Sequence, residues 1–515
     1  MTVKETLNGH RQEPPLKRAE EVQELLTAVQ ELIVPFIRAA DEDADVKHTG
    51  HGLAIPGRGE GPRTALVEQH PPAELKSLLK LNIPEKRGGK EELISLVEKV
   101  LQYSVNTWDQ GFMDKLYAST DAVGLVAELL LATLNTNAHV YQVSPVLTLV
   151  EKHTTKYLAN LFGLDSEHSG GISQPGGSAS NSTAMVIARN TLYPETKTDG
   201  LGGRRFTIFT SEHGHYSLEK AAQIIGLGSK NVISVPVDAS GRLIPTELER
   251  LVKESKSRGE TPFFINATAG TTVHGSFDPF EAISPIAKAH NLWLHIDGSW
   301  GGSVVFNPTY RASRLAGSHL ADSITINPHK MLGAPVTCSF LLGRDLRQFW
   351  SAMTLPAGYL FHNSPSASVN DIYDLADLTP HCGRRADSLK FFLALSYHGA
   401  QHFSDLVATG YQNAEYLLAL LDDHPDFLTI SPDPVPCHQV CFYLARGGLL
   451  GEDAEENGRV TAAVAHGVIA RGFMIDFAPG ERGKFFRVVV NGKTRRGTLD
   501  GLVKALAEVA AELGF

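Results

Sequence analysis

The sequence predicts an α/β protein with a mostly parallel central sheet, and two observations support this prediction. From about residue 205, short runs rich in β-branched and aromatic residues alternate with helix-like segments, which requires the crossover connections of parallel strands. The residues that carry chemistry follow the ends of these runs, where such sheets bind ligands. The strand-like runs are RFTIFTS, NVISVPV, PFFINATAG, LWLHIDGS, SITINPHK and CSFLLG, and most are separated by helix-like segments, among them 216–225, 246–257 and 279–290.

The residues before this alternation predict a helical N-terminal region. Residues 19–40 repeat apolar positions at helical spacing, and residues 41–75 are rich in glycine, proline and charge. A long apolar helical region over 121–163 is interrupted near Asn135. Patterns after residue 386 indicate a smaller C-terminal α+β domain. We predict three units: an N-terminal arm over 1–110, a large domain over 111–395 and a small domain over 396–515.

Composition excludes several classes of function. The chain has 515 residues, of which 42% are hydrophobic and 20% charged, and its formal charge of −10 offers no attraction to nucleic acid. The polar N-terminus lacks the apolar core of a signal peptide, and the most apolar helical run is too short to cross a bilayer. Four cysteines are too few for a disulfide framework, and the spacing of Cys437 and Cys441 predicts no metal site. A cytoplasmic enzyme without a membrane or nucleic-acid partner is therefore expected.

Four features around the strand ends suit one kind of ligand. QPGGSASNS precedes a helical run, so Ser178, Ala179 and Ser180 lie at a helix start that favours anions. His215 offers a flat ring, and Asp297 and Lys330 end two further strands. Taken singly, these features also fit plain loops, a turn cap and a surface lysine. Together they fit a phosphorylated pyridine aldehyde, which needs an anion cradle, a ring contact, a carboxylate and an amine.

The order of the motifs PGGSASN, HYS, NATAGTT, HIDGSWGG, NPHK, AGYLF, CGR and FFRVVV resembles the group II pyridoxal-phosphate decarboxylases, which act on glutamate, cysteine sulfinate and aspartate. The resemblance runs from about residue 85 to the C-terminus. It implies the aspartate aminotransferase-like fold (fold type I), pyridoxal 5'-phosphate as cofactor, and an obligate homodimer with active sites at the subunit boundary. The arm over 1–110 would then contribute to dimerisation.

The resemblance also assigns roles to residues. Lys330 would carry the cofactor as a Schiff base, Asp297 would face the pyridinium nitrogen, and His215 would stack on the ring. Further cofactor contacts are expected from Ser178, Ala179, Ser180, Thr272, Ser299 and His329. Gly298 and Ser299 replace the usual Ala-Ala, which alters the packing beneath the ring.

Residues 344–385 are polar and contain a long segment with little regular pattern, FHNSPSASVNDIYDLADLTPHCG, which is typical of a lid. Tyr373 in this segment matches the loop tyrosine that returns a proton to Cα, and by the same resemblance it would act in the neighbouring subunit. The alternative is that Tyr373 anchors the loop.

The substrate is predicted from two cationic residues. Arg487 in KFFRVVV suits bidentate capture of an acid group, and it matches the arginine that holds the distal acid in acidic-substrate relatives. Lys115 in DQGFMDKL stands where those relatives have glutamine. We predict decarboxylation of aspartate or cysteine sulfinate, with glutamate next. The alternatives are another reaction on the same cofactor, an unusual amino acid in specialised metabolism, and a non-catalytic cofactor-binding relative.

Overall fold

The computed structural model describes residues 16–55, 64–355 and 369–515. The AGYLF motif and the middle of the predicted lid fall outside these ranges. No helix in the described ranges is long and apolar enough to span a membrane.

The helices are α1 Arg18–Val46, α2 Pro72–Leu79, α3 Gly89–Tyr103, α4 Ala122–Leu134, α5 Pro145–Leu161, α6 Gly177–Leu192, α7 Thr196–Asp199, α8 Ser217–Ile224, α9 Pro245–Ser257, α10 Phe280–His290, α11 Pro308–Arg314, α12 Leu346–Met353, α13 Ser388–Asp422, α14 Ala454–Gly467 and α15 Arg496–Glu512. The strands are β1 Phe112–Met113, β2 Gly170–Gln174, β3 Phe206–Ser211, β4 Val232–Val235, β5 Thr261–Thr268, β6 Trp293–Gly298, β7 Ser323–Ile326, β8 Ser339–Gly343, β9 Phe427–Thr429, β10 Gln439–Leu444, β11 Met474–Ala478 and β12 Phe485–Val489.

The central sheet has seven strands in the order β2-β8-β7-β6-β5-β3-β4. The neighbours from β7 to β4 pair in parallel, whereas β8 is antiparallel to both β7 and β2. The predicted mostly parallel sheet is therefore confirmed. Strand β2 was not predicted, because its sequence GGISQ lacks a β-branched alternating pattern.

Both faces of this sheet are buried, which explains the nearly continuous apolar composition of its strands. Successive residues of β3 point to opposite faces, so Ile208 lies in one core cluster and Phe209 in the other. Helix α6 packs against the first of these faces and brings its N-terminus to the carboxyl ends of the central strands.

The C-terminal domain is built on a second sheet, in the order β1-β11-β12-β10-β9. Strand β1 pairs in parallel with β11, so residues 112–113 belong to this sheet and not to the large domain that we predicted to begin at 111. The predicted boundary at 395/396 falls inside α13, which kinks at Gly399 with φ of 75°. One helix thus spans the predicted boundary.

The N-terminal arm is joined to the C-terminal domain by a buried charge cluster. Lys47 Nζ lies 2.6 Å from Asp43 Oδ2 and 3.0 Å from Asp109 Oδ1, and all three side chains are fully buried. Lys47 also donates a hydrogen bond to the carbonyl of Gly472. Burial raises the pKa of Asp109 to about 7, although the positive charge of Lys47 opposes this. The cluster therefore holds two carboxylates on a single ammonium group.

Candidate active site

A cavity of about 210 Å³ opens at the carboxyl ends of β5, β6 and β7, beside the N-terminus of α6. This is the edge of a parallel sheet where ligands bind. Seven predicted residues line it: Ser178, His215, Thr272, Asp297, Ser299, His329 and Lys330. Ala179, Ser180, Lys115, Tyr373 and Arg487 are not among the lining residues.

Asp297 is a buried carboxylate with defined donors. Its Oδ1 accepts a hydrogen bond of 3.0 Å from the backbone N–H of Ser299, and its Oδ2 accepts one of 2.8 Å from Asn181 Nδ2. Burial pushes the pKa of Asp297 upward, but the hydrogen bond from Ser299 and the nearby basic groups outweigh burial and hold the pKa below its usual value. Asp297 therefore presents a negative charge to the cavity.

Lys330 follows β7 through a short turn, in which its backbone N–H donates to the carbonyl of Asn327 at 3.0 Å. Burial lowers the pKa of the Lys330 amine; Asp297 acts against this shift, whereas the positive charge of Arg487 adds to it. A larger fraction of the amine is therefore uncharged than for a surface lysine, as a nucleophilic lysine requires.

His215 supplies a neutral ring. Its Nδ1 accepts a hydrogen bond of 3.2 Å from the backbone N–H of Ser217, which assigns the ring hydrogen to Nε2. Burial lowers the pKa of His215, so the ring stays uncharged near neutral pH. A flat, uncharged ring in the cavity wall suits contact with an aromatic ligand.

The start of α6 forms the anion cradle. Gly176 has φ of 105°, a backbone conformation that favours glycine, and the N–H groups of Gly177 and Ser178 precede the first helical hydrogen bonds. A Cβ atom at Gly177 would lie 2.5 Å from Ser299 Oγ and 2.7 Å from Asn327 Nδ2. Glycine is thus required for this close approach.

Ala179 and Ser180 support the cradle from behind and do not line the cavity. Their backbone N–H groups each donate to the carbonyl of Gly176 at 3.1 Å. Ser180 Oγ lies 2.8 Å from Ser339 Oγ, on the sheet side of α6. The Ser180 hydroxyl therefore faces β8, because of its position on the helix, and the predicted contact of Ser180 with the cofactor stays a prediction.

The remaining polar groups also fit a phosphorylated ring. Asn327 Oδ1 is buried and has no hydrogen-bond partner among the described residues, as expected for an atom that a ligand would satisfy. His329 Nδ1 lies 2.7 Å from the Cys338 carbonyl oxygen, and burial lowers the pKa of His329 to about 4. The cradle, the neutral ring, the carboxylate and the amine together fit pyridoxal phosphate.

Arg487 does not offer the open bidentate face that its sequence context predicts. Asp476 stands opposite it in the register of β11 and β12. Arg487 Nη2 donates to Asp476 Oδ2 at 2.6 Å and to the Asp114 carbonyl at 2.7 Å, and Nη1 donates to the Thr272 carbonyl at 3.1 Å. Lys115 Nζ lies 3.0 Å from the same Asp476 oxygen. One internal carboxylate therefore bridges both predicted substrate cations.

Tyr373 is not among the residues that line the cavity. Its ring makes an edge contact with Tyr141 at 5.4 Å and lies 4.4 Å beneath Lys152 Nζ. Lys152 also donates to the carbonyl of Ile372 at 2.6 Å. These contacts attach the segment around Tyr373 to α5, and the role of Tyr373 as a proton donor stays a prediction.

Sequence reasoning missed Asn181, His213 and Asn327, which also line the cavity. Asn181 and Asn327 lie in motifs that carry the family resemblance, PGGSASN and NPHK. The signal that could have identified them is their position, Asn181 at the start of a buried helix and Asn327 directly after a strand.

Comparison with known proteins agrees with this geometry. Residues 72–445 match the family model described as the pyridoxal-dependent decarboxylase conserved domain. The L-aspartate decarboxylase dtxS4 of Metarhizium robertsii is 48% identical over 499 residues, which cover 97% of this chain and 98% of that protein. The glutamate decarboxylase-like protein FG08083 of Gibberella zeae is 38% identical and covers 84% of this chain and 90% of its own length.

A solved structure gives the same result. The crystal structure of mouse CSAD superposes with a TM-score of 0.84 at 31% identity, covering 96% of this chain and 99% of that one. Fold, cavity and sequence similarity thus converge, and the chain belongs to the pyridoxal-dependent decarboxylase family as a pyridoxal-phosphate-dependent amino acid decarboxylase.

Proposed function

We propose that this enzyme decarboxylates a compact acidic L-amino acid, with aspartate first, cysteine sulfinate second and glutamate third. The proposal rests on one observation: two cationic residues, Arg487 and Lys115, both form ion pairs with the carboxylate of Asp476. The 48% identity to a protein named L-aspartate decarboxylase supports the same substrate class.

In this proposal each cavity residue has a defined task. Pyridoxal phosphate supplies an electron-withdrawing ring that accepts the electron pair left when the bond from Cα to the carboxylate breaks. The N-terminus of α6 would hold the phosphate, Asp297 would keep the ring nitrogen protonated, and His215 would pack on the ring face. Lys330 would supply the amine that binds the cofactor. Carbon dioxide leaves and a proton takes its place on Cα.

A panel of purified amino acids tests the function. We expect carbon dioxide and the corresponding amine from aspartate and cysteine sulfinate, less from glutamate, and none from an aromatic control. Formation of a keto acid instead of carbon dioxide would indicate transamination, and absence of turnover on every amino acid would indicate a non-catalytic relative.

We propose that Asp476 limits the length of the acidic side chain that the substrate site accepts. Its carboxylate occupies the position between Arg487 and Lys115, so a longer substrate acid would meet a like charge there. Asp476→Asn keeps the size and removes the charge. We expect the ratio of kcat/KM for glutamate over aspartate to rise about tenfold, equivalent to about 1.4 kcal/mol.

Asp114→Asn is the matched control for that ratio. The Asp114 carboxylate lies 3.2 Å from Lys115 Nζ, whereas the contact between residue 114 and Arg487 uses the backbone carbonyl. The control should therefore move the ratio less. An unchanged ratio in Asp476→Asn would remove Asp476 from substrate selection.

We propose that the enzyme is a homodimer working in the cytoplasm. Apolar side chains that are about half exposed gather on α4, on the segment leading into α5 and on the first turns of α5, as expected for a surface covered by a partner. They are Leu125, Val126, Leu129, Leu130, Leu134, Tyr141, Val143, Val146 and Leu149. The four cysteines are free, which suits a reducing compartment.

We propose that Tyr373 donates the Cα proton in the partner's site. Tyr373→Phe keeps the ring contacts with Tyr141 and Lys152 and removes only the hydroxyl. We expect the product to shift from amine toward an aldehyde, with water supplying the aldehyde oxygen and the substrate amino group remaining on the cofactor as pyridoxamine phosphate, both measured by chromatography. Mixing the Tyr373→Phe and Lys330→Ala chains should raise the proportion of amine, because one site of each mixed dimer then has both residues. If Tyr373→Phe alone gives amine only, Tyr373 is an anchor.

A further inference from the structure

A row of buried polar side chains runs from Asp297 into the interior of the domain, beginning with Asn181 at the edge of the cavity. It passes from Asp297 through Asn181 on α6 to His295 on β6, Ser323 on β7 and Trp293 on β6, and each of these residues is at most 4% exposed. We propose that Asn181 and His295 are positioning residues that hold Asp297 ionised and aimed at the ring nitrogen of the cofactor. This inference rests on the proposed role of Asp297.

The row is continuous at hydrogen-bond distance. Asn181 Nδ2 lies 2.8 Å from Asp297 Oδ2, and Asn181 Oδ1 lies 3.1 Å from His295 Nε2. The next link joins His295 Nδ1 to Ser323 Oγ at 2.8 Å. Each polar atom in the row is therefore engaged, and the path ends on one carboxylate oxygen.

The Asp297 carboxylate sets the direction of the bonds in the row. An ionised carboxylate only accepts, so Asn181 Nδ2 is the donor to Asp297. Asn181 Oδ1 then accepts from His295 Nε2, so the ring hydrogen of His295 lies on Nε2 and its Nδ1 accepts from the Ser323 hydroxyl. Trp293 fits this direction, because its indole nitrogen is a donor only and donates to Ser323 Oγ at 2.8 Å. Donors therefore point toward the carboxylate at every step.

Thr325 reinforces this orientation. Its hydroxyl donates to Asn181 Oδ1 at 3.1 Å, so the amide oxygen is held by two donors and cannot exchange places with the amide nitrogen. His295 also stacks on Phe264 at 5.6 Å, and burial lowers its pKa to about 4, so its ring remains neutral. A neutral row of aligned dipoles stabilises a negative charge at its end without introducing a competing cation.

The chemical consequence concerns the ring nitrogen. A carboxylate with one oxygen bound by Asn181 and the other by the Ser299 N–H has little rotational freedom and a low proton affinity. It therefore leaves the shared proton on the pyridine nitrogen, which is the form that withdraws electrons most strongly. Breaking the row should move this proton toward Asp297.

The test uses the holoenzyme loaded with pyridoxal phosphate labelled with ¹⁵N in the ring. The nitrogen resonance reports whether the ring nitrogen is protonated, and it is read in Asn181→Leu and His295→Phe. We expect both variants to move the resonance toward the unprotonated form and to lower kcat about tenfold or more, with a smaller change in KM. Both variants should also bind the cofactor more weakly in titrations of the apoprotein.

Three further variants separate the possible outcomes. Thr207→Val breaks a buried hydroxyl pair between Thr207 on β3 and Ser255 on α9, so it should lower stability without moving the resonance. Asp297→Asn must itself move the resonance, and if it does not, the proposed role of Asp297 fails. If Asp297→Asn moves it while Asn181→Leu and His295→Phe do not, only the positioning role is overturned. If Asn181→Leu and His295→Phe do not fold, Ser323→Ala replaces them, because it interrupts the row by removing only a hydroxyl group. The same shift of the nitrogen resonance is then expected.

Discussion

Replacement of Lys330 by alanine is expected to abolish decarboxylation and the visible absorption of the bound cofactor. Lys330 is the amine on the cavity wall, and burial lowers its pKa toward the uncharged, nucleophilic form. Loss of a covalent catalyst of this kind reduces kcat by about 10³-fold or more. The absorption spectrum and single-turnover rates measure the two effects separately.

The attachment point can be identified directly. Borohydride reduction of the wild-type holoenzyme, followed by peptide mapping, should place the cofactor on Lys330. Lys493→Ala is the matched control, because burial also lowers the pKa of Lys493 although that residue lies outside the cavity lining. The control should keep the absorption band. An unchanged spectrum in Lys330→Ala would reject the assignment.

The central sheet and the positions of Lys330 and Asp297 in the cavity could be predicted because their signals are local. Lys330 and Asp297 each follow an apolar β-branched run, and parallel strands bring their carboxyl ends to one edge without further information. The glycines before α6 likewise mark a helix start from sequence alone. Residues whose role depends on a strand end or a helix start were therefore found.

The parts that could not be predicted depend on pairing between distant segments. Asp476 neutralises Arg487 only because β11 and β12 place them opposite one another, and no local pattern gives that register. The two-residue strand β1 joins the C-terminal sheet through β11 for the same reason. The row behind Asp297 combines α6 with two strands, so His295 had the appearance of an ordinary strand residue.

Replacement of Lys47 by methionine is expected to have the largest effect on stability. The variant leaves Asp43 and Asp109 buried together without their cation, and removing one partner from a buried ion cluster costs about 3–5 kcal/mol. Thermal and denaturant unfolding measure this loss. Lys90→Met on the same arm removes an exposed pair with Glu24 and should leave the midpoint unchanged.

The pH dependence of the Lys47→Met defect follows from Asp109. In the folded protein its pKa is raised to about 7 from 3.8, so between these values the folded state binds more protons than the unfolded state. Stability contributed by this group is therefore present at low pH and is lost as pH rises toward 7.

Removing Lys47 raises the pKa of Asp109 further, because the positive charge of Lys47 no longer favours the carboxylate. The defect should consequently be larger at about pH 8 than at about pH 5, and Asp109→Asn in the Lys47→Met background should recover much of it. A defect independent of pH would mean that Lys47 acts through packing against Phe473, over whose ring its Nζ lies at 4.9 Å, and not through charge.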